Sequence, residues 1–380
     1  MGVFQERWID MSMNAEPRRP AAESHIKLVN LALQGGGAHG AFSWGVIDRL
    51  LEDGRIGFES ISGTSAGAMN AVVVADGLLQ GGPDRAREKL ESFWRHISLD
   101  ALSGPLHRSF FDMLFSNWSM DNNPALIMMD MVTRVVSPYQ FNPLNINPLQ
   151  NLLEREVDFD RFQSADAIRV FISATNVHTG RVRVFTGPEV TAQTVMASAC
   201  LPFAFQAVEI DGVPYWDGGY MGNPVLFPFY ECRSLDVLLV QTIPIARHET
   251  PKTAREILDR VNEISFNASL IKELVNVDFV NRGIKDGTLS GSGVKELYLH
   301  AISAAGEFEH LASSSKLNAE WMFLCHLRDL GRKAADQWLA DCHARVGREG
   351  TLELTSFWAD GSARARKNQF PGIGAAASVP

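Results

Sequence analysis

Apolar residues follow two patterns along the chain. Some form short continuous runs, and others recur every three to four residues, as on one face of a helix. The first run, residues 26–33 (Ile-Lys-Leu-Val-Asn-Leu-Ala-Leu), is typical of a strand buried on both faces. The same patterns predict strands at about 58–62, 168–177, 181–185, 207–210, 213–216, 235–243 and 295–303, helices at about 41–52, 66–79 and 318–346, and a long amphipathic helix through Ile257, Val261, Ile264, Ala268, Ile271 and Val275. This alternation predicts an α/β fold whose mostly parallel sheet is covered on both faces and binds ligands at the carboxyl ends of its strands.

The two ends of the chain differ from this pattern. Residues 1–25 are polar and contain proline, and residues 361–380 are rich in Ala, Gly, Ser and Pro. We expect both to be disordered arms. Between them we predict one α/β domain at 26–360, in which the motifs described below occupy about 26–230 and further strand and helices occupy about 231–360.

Composition narrows the classes of partner. The 380 residues carry a formal net charge of -9, which argues against nucleic acid as the main partner and against binding to anionic lipid by bulk charge.

The chain shows neither the apolar run of a signal peptide nor a stretch long enough to cross a bilayer, so we expect a cytoplasmic protein. The cysteines have neither metal-ligand nor disulfide-framework spacing: Cys200, Cys232, Cys325 and Cys342. We expect no metal and no cofactor.

A glycine-rich loop follows the first predicted strand. Residues 34–40 read Gln-Gly-Gly-Gly-Ala-His-Gly, and glycines there let backbone N–H groups approach a ligand closely. The run also matches the dinucleotide-binding pattern Gly-x-Gly-x-x-Gly, for which Asp53 or Glu59 would be the acidic partner. The second predicted strand, however, runs directly into another motif and leaves no room there for a ribose. Alone, the loop is weak evidence for either use.

That second motif is Gly63-Thr64-Ser65-Ala66-Gly67, between a short strand and an apolar helix. A strand-turn-helix context is what a nucleophile elbow requires, because the sharp turn lifts the serine hydroxyl clear of the backbone. The beginning of the helix adds partial positive charge where an oxyanion would form. We therefore predict that Ser65 is a nucleophile.

An acidic turn completes the set. Trp216-Asp217-Gly218-Gly219 ends a predicted hairpin strand, and by itself Asp-Gly is a common turn pair. A serine nucleophile needs a group that takes its proton. A carboxylate at a strand end can do this directly, which makes Asp217 the candidate base.

With these three motifs in this order, residues 26–224 resemble the patatin-like phospholipases. The resemblance implies a three-layer α/β/α fold and a Ser–Asp dyad that cleaves acyl esters of lipids. Carried over by position, it implies these roles: Ser65 as nucleophile, Asp217 as base, amides of Gly35, Gly36, Gly37 and Ala38 as the oxyanion hole, and Gly40, Gly63, Gly67, Gly218 and Gly219 as supporting glycines. Residues 196–203 (Met-Ala-Ser-Ala-Cys-Leu-Pro-Phe) also look like the family's segment before the aspartate. The chain departs from the family where His39 replaces a basic residue and Gln34 stands where Asp sometimes occurs.

Alternatives remain at this stage. The order Ser65, Asp217 and then His248 or His300 also fits a serine-acid-histidine triad, although the elbow comes early for that fold. The same dyad suits a thioesterase or polyester depolymerase, and a catalytically silent lipid-binding protein is a third hypothesis. The oligomeric state stays open.

Large apolar side chains crowd residues 105–150, where Pro124 is the expected start of a helix through Val136. These side chains either pack in the core or form a lid or acyl groove near Ser65. Peripheral contact with a membrane is a further hypothesis for this segment.

Overall fold

A computed structural model of the chain describes residues 26–102, 118–133, 135–164, 168–289, 291 and 293–357. The predicted arms, 1–25 and 361–380, lie outside these residues, as does 103–117 of the apolar segment.

Eight strands form one sheet: β1 (Lys27–Leu33), β2 (Ile56–Gly63), β3 (Arg169–Asn176), β4 (Val182–Thr186), β5 (Val208–Ile210), β6 (Val213–Asp217), β7 (Asp236–Gln241) and β8 (Tyr298–Ser303). Strands β3, β2, β1, β7 and β8 lie side by side and parallel. Strands β4 and β6 pair antiparallel with β3, and β5 pairs with β6. The predicted mostly parallel sheet is confirmed.

The helices of the described residues are α1 (Gly40–Asp53), α2 (Ala66–Ala101), α3 (Pro124–Thr133), α4 (Pro138–Phe141), α5 (Pro148–Glu156), α6 (Ala192–Ser198), α7 (Ala254–Lys285), α8 (Ala305–Glu309) and α9 (Trp321–Cys342). Helices α1, α2, α3, α7 and α9 lie in predicted segments, although α2 extends to Ala101 beyond its predicted end near Leu79, and the short helices α4, α5, α6 and α8 were not predicted. Helix α2 is interrupted at Gly81 and Gly82, whose backbone angles are not helical. None of the described helices combines the length and apolarity needed to cross a bilayer.

Alternation along the strands divides the core into two layers. In β1, Leu31 and Leu33 point to the face covered by α1, α2 and α9, whereas Ala32 points to the other face. Leu270 and Leu274 of α7 cover that second face. Because successive strand residues face opposite sides, one apolar run can fill both layers. The fold is therefore a three-layer α/β/α sandwich.

Helix α7 exists as predicted but exposes part of its apolar stripe. Ile257, Val261 and Ile264 are about half exposed, whereas Glu263 and Asn267 are buried. The buried polar residues have partners: Arg247 pairs with Glu263, and Gln34 donates to Asn267 Oδ1. Partnered polar side chains can be buried at low cost, so apolar spacing alone did not identify the buried face.

Candidate active site

Strand β3 aligns the two motifs that hold the predicted dyad. On one edge its first half pairs with β2, where Ile172 lies opposite Gly63, and its second half pairs with β6, where Ala174 lies opposite Asp217. Strand β4 occupies the other edge, so β6 continues where β2 ends. Two residues of strand span about 6–7 Å. The acid is thus brought beside the turn that follows β2.

The turn after β2 has the geometry of a nucleophile elbow. Ser65 has φ 54° and ψ -123°, a conformation that costs a non-glycine residue about 1–3 kcal/mol. A Cβ atom on Gly63 would collide with the Gly67 carbonyl, and one on Gly67 would collide with the Leu33 carbonyl. The two glycines are therefore required by close backbone contacts.

Hydrogen bonds from neighbouring segments fix the elbow. The Ser65 N–H donates to Ser198 Oγ at 2.9 Å, at the end of α6. The Thr64 hydroxyl donates to the Gly222 carbonyl at 2.7 Å, in the segment after Asp217. The serine is thus held from both sides, by the segment before the acid and by the one after it.

Asp217 is 1% exposed, and the Ser65 side chain lies close enough to its carboxyl to affect the pKa of that group. The Gly219 N–H donates to Asp217 Oδ1 at 2.7 Å, and the Asp217 N–H donates to the Cys200 carbonyl at 2.8 Å. Burial raises the pKa of Asp217 to about 7, against the opposing effect of the hydrogen bonds from Gly219 and Ser65. The carboxyl therefore changes its charge near neutral pH.

The amides of the glycine loop are not equivalent. The Gly35 N–H donates to Asn223 Oδ1 at 2.8 Å, which occupies one predicted oxyanion donor. Among the described residues, no acceptor is recorded for the amides of Gly36, Gly37 and Ala38. Gly37 has φ 58°, and a Cβ there would meet the Lys316 carbonyl at 2.5 Å. The loop thus leaves three adjacent N–H groups as candidate donors.

The remaining motif glycines permit close approach. A Cβ on Gly218 would collide with the Ser173 carbonyl, and one on Gly219 would collide with the Phe266 ring. A Cβ on Gly40 would come within 2.8 Å of Ala66 Cβ, at the beginning of α2. A Cβ on Gly35 would come within 2.9 Å of Ser65 Cβ, so the glycine loop packs directly against the elbow.

His39 is buried and uncharged near neutral pH. Burial first, and then the nearby Lys316, lower the pKa of His39 to about 3. Its Nε2 lies 2.8 Å from Ser315 Oγ. The ring therefore packs in the interior and ties the glycine loop to Ser315 by a hydrogen bond, but it supplies no positive charge.

Gln34 joins three elements at the base of the loop. Its Oε1 accepts the N–H groups of Thr242 and Ile243, both at 2.9 Å, and its Nε2 donates to Asn267 Oδ1 at 2.8 Å. An amide can accept and donate at once, which a carboxylate cannot. The replacement of Asp by Gln thus fits the partners present here.

Neither candidate histidine contacts the dyad in the recorded hydrogen bonds of the described residues. His300 is fully buried and lies 3.0 Å from both Asp236 Oδ1 and Thr351 Oγ1. His248 is exposed and pairs with Glu309. The described residues also contain no group of three metal-binding side chains.

Sequence reasoning missed two residues that position the site. Asn223 is fully buried and bridges the glycine loop to α7, because its Nδ2 donates to the Phe266 carbonyl at 3.2 Å. Ser198 holds the Ser65 amide. A buried Asn or Ser has no sequence periodicity of its own, so only the folded contacts reveal these roles.

Residues 31–230 match the sequence model of the family described as patatin-like phospholipase, more than half of the chain. Among curated proteins, none matches the chain in sequence.

Solved structures with some similarity are larger proteins. VipD from Legionella pneumophila is 14% identical, with a TM-score of 0.34 over 82% of this chain and 66% of that one. Two structures of ExoU with SpcU, from the type III secretion system of Pseudomonas aeruginosa, are 14% and 16% identical, with TM-scores of 0.28 and 0.34; they cover 82% and 85% of this chain and 53% and 52% of those chains. The chain thus spans about half to two thirds of the length of these proteins.

We predict that Asn223→Ala slows the labelling of Ser65 by a fluorophosphonate about tenfold to a hundredfold, because the freed Gly35 peptide no longer orients the loop. The unfolding free energy should fall by about 1–3 kcal/mol, since two buried backbone groups lose their partner. The matched control is Asn281→Ala, which removes a buried amide bonded twice to the Leu297 backbone. It should lose similar stability in urea unfolding and keep its labelling rate. Unchanged labelling in the Asn223 variant would contradict the positioning role.

Proposed function

The chain belongs to the patatin-like phospholipase family, and from this membership we propose that it hydrolyses carboxylic esters of phospholipids or neutral lipids through an acyl-enzyme on Ser65. The observation that carries the proposal is the position of the Ser65 hydroxyl beside the buried carboxyl of Asp217, close enough for the serine to lower the pKa of that carboxyl. A hydroxyl at a strained elbow, beside a carboxyl and a loop whose amides at residues 36–38 have no acceptor among the described residues, is an arrangement suited to acyl transfer.

In the proposed first step, the ionised Asp217 carboxylate takes the proton of the Ser65 hydroxyl while Ser65 Oγ attacks the ester carbonyl. The tetrahedral intermediate collapses, and the alcohol leaves with the proton that Asp217 returns. Water then gives a proton to the same carboxylate and attacks the acyl-enzyme; the second tetrahedral intermediate collapses, Asp217 returns that proton to Ser65 Oγ, and the fatty acid is released.

The raised pKa of Asp217 suits it to this role. An aspartate with an ordinary pKa of about 3.9 is a weak base toward a hydroxyl at neutral pH. Burial raises the pKa of this carboxyl to about 7, so the carboxylate is a stronger base and is still substantially ionised near neutrality.

The glycine loop is the proposed oxyanion hole, with the amides of Gly36, Gly37 and Ala38 as donors. We exclude Gly35 from this role because its N–H is already bonded to Asn223. A single such donor is typically worth about 10²–10³ in rate. Ser65 is also the N-cap of α2, and the helix dipole adds positive potential there.

Two alternatives use the same fold. A thioesterase or polyester depolymerase would keep the dyad and differ in substrate. A silent lipid-binding protein would have no reactive serine, and the position of the strained Ser65 beside the buried Asp217 carboxyl argues against it. A histidine triad is disfavoured because His300 is engaged with Asp236, and His248 with Glu309.

The proposal predicts that Ser65→Ala and Asp217→Asn each lower the hydrolysis of a soluble short-chain ester by about 10³ or more, since nucleophile and base act as a unit. Asp211→Asn, in the exposed turn between β5 and β6, is the matched control and should retain full activity. A fluorophosphonate should label the parent chain on Ser65. Absence of labelling in the folded parent would favour the silent lipid-binding alternative, and an active Asp217→Asn chain would exclude the dyad.

The pH dependence of kcat/KM provides a separate test. Because the base must be ionised and its pKa is about 7, kcat/KM should reach a plateau above neutrality and fall about tenfold per pH unit below it. At pH 5 it should be about a hundredfold below the plateau, while circular dichroism confirms that the protein is still folded. An aspartate with an ordinary pKa of about 3.9 would keep the rate level down to about pH 5. A flat profile between pH 5 and 8 would contradict the assignment of Asp217 as a base with a raised pKa.

A further inference from the structure

Two segments joined by hydrogen bonds expose apolar side chains, and one of them directly follows the residues that contact Ser65 and Asp217. We call this set the uncharged rim, and it consists of Tyr139 (59% exposed), Phe141 (42%), Leu144 (79%), Ile146 (64%), Leu201 (38%) and Phe203 (70%). Scattered exposed hydrophobic residues are normal on a protein surface, but a contiguous group of large ones marks an interaction site.

Hydrogen bonds show that the two segments form one surface. Gln206 Nε2 donates to the Asn142 carbonyl at 2.7 Å, and the Ala207 N–H donates to the Tyr139 hydroxyl at 3.2 Å. Within the first segment, Asn142 bonds through its side chain to both the N–H and the carbonyl of Ile146. The loop from Asn142 to Ile146 is therefore closed by its own hydrogen bonds, and its apolar side chains point to the solvent.

The rim is continuous with the dyad. Ser198 Oγ accepts the Ser65 N–H, and the Cys200 carbonyl accepts the Asp217 N–H. Leu201 and Phe203 follow within three residues of these contacts. The backbone that fixes the nucleophile and the acid thus leads directly to the exposed apolar side chains.

The charge of the rim indicates what it contacts. Residues 135–153 and 190–208 contain no Asp, Glu, Lys, Arg or His, in a chain in which 21% of residues are charged. A surface for anionic lipid would carry lysines or arginines. A tyrosine, two phenylalanines and aliphatic side chains among uncharged amides suit the interface of a lipid layer without net charge.

We propose that the uncharged rim docks the protein on the surface of electrically neutral lipid, zwitterionic or uncharged, and so delivers ester substrates to Ser65. This inference rests on the proposed function, because it supplies that site with its substrate. A second copy of the chain on the rim would cover the segment that leads to the dyad, which favours lipid as the occupant.

The test measures binding to phosphatidylcholine vesicles by co-sedimentation, in a Ser65→Ala background so that no lipid is consumed. The double variant Leu144→Gln/Phe203→Ser should bind at least about tenfold more weakly, because it removes two exposed apolar side chains. The matched control Phe279→Ser/Met322→Gln changes residues that are 64% and 72% exposed on α7 and α9, and should bind like the parent. Binding of the parent should change less than about twofold between roughly 0.05 M and 0.5 M NaCl.

Hydrolysis of a soluble short-chain ester separates this inference from the proposed function. With Ser65 present, the rim double variant should hydrolyse that ester within about twofold of the parent rate, since substitutions of exposed side chains leave the fold intact. The single variant Leu144→Gln repeats the binding test with the least change to the chain. A parent that binds vesicles but hydrolyses no ester would refute the proposed function and leave the rim as a lipid contact.

Three results would overturn the proposal that the uncharged rim binds neutral lipid. The first is equal vesicle binding by the parent and the rim variants. The second is parent binding that requires phosphatidylserine in the vesicles and is lost with salt. The third is a parent dimer that the double variant converts to monomer while vesicle binding is unchanged, which would assign the rim to contact between copies.

Discussion

The burial of one carboxyl governs the chemistry available at this site. Asp217 is 1% exposed, and the groups that set its pKa in the described structure are its own burial and hydrogen bonds from Gly219 and Ser65, without a cation. A neighbouring Arg or Lys would hold the carboxylate ionised and make it a weaker base. Burial next to a hydroxyl instead brings the pKa of the Asp217 carboxyl to about 7. A base of that strength is what the proposed direct proton transfer from serine needs.

The rest of the site holds Ser65 beside Asp217 although the backbone conformation of Ser65 is strained. The elbow conformation of Ser65 is strained, and such strain persists only where the surroundings over-determine it. Here the register of β3 sets the spacing between the elbow and the acid, and hydrogen bonds to Ser198 and from Thr64 hold the turn. Asn223 then joins the glycine loop to the same framework. The glycine loop, the elbow at Ser65 and the turn at Asp217 are thus joined by hydrogen bonds into one assembly at the carboxyl ends of the strands.

Local sequence patterns predicted much of the fold and of the candidate site. The remaining features depend on contacts between residues far apart in the sequence, which no local pattern records. Buried strands, the strand-turn-helix around Ser65 and the Asp-Gly-Gly turn all leave periodic or glycine signals in the sequence. The contact between Gly35 and Asn223 joins residues 188 positions apart, so the motif alone could not show that this predicted oxyanion donor already has an acceptor. The exposed face of α7 was missed because Glu263 and Asn267 are buried with specific partners, and apolar spacing records only hydrophobic burial. The pKa of Asp217 depends on the packed surroundings, which no motif encodes.

The most direct test of the account is a crystal structure of the chain after reaction with a fluorophosphonate, whose phosphonyl oxygen stands in for the oxyanion. The account predicts the phosphorus on Ser65 Oγ, that oxygen within about 2.7–3.1 Å of amides among residues 36–38, and the Asp217 carboxyl still beside Ser65 Oγ. A phosphonyl oxygen turned away from these amides, with the Asp217 carboxyl bonded elsewhere, would contradict the convergence of nucleophile, base and oxyanion donors on one reacting centre.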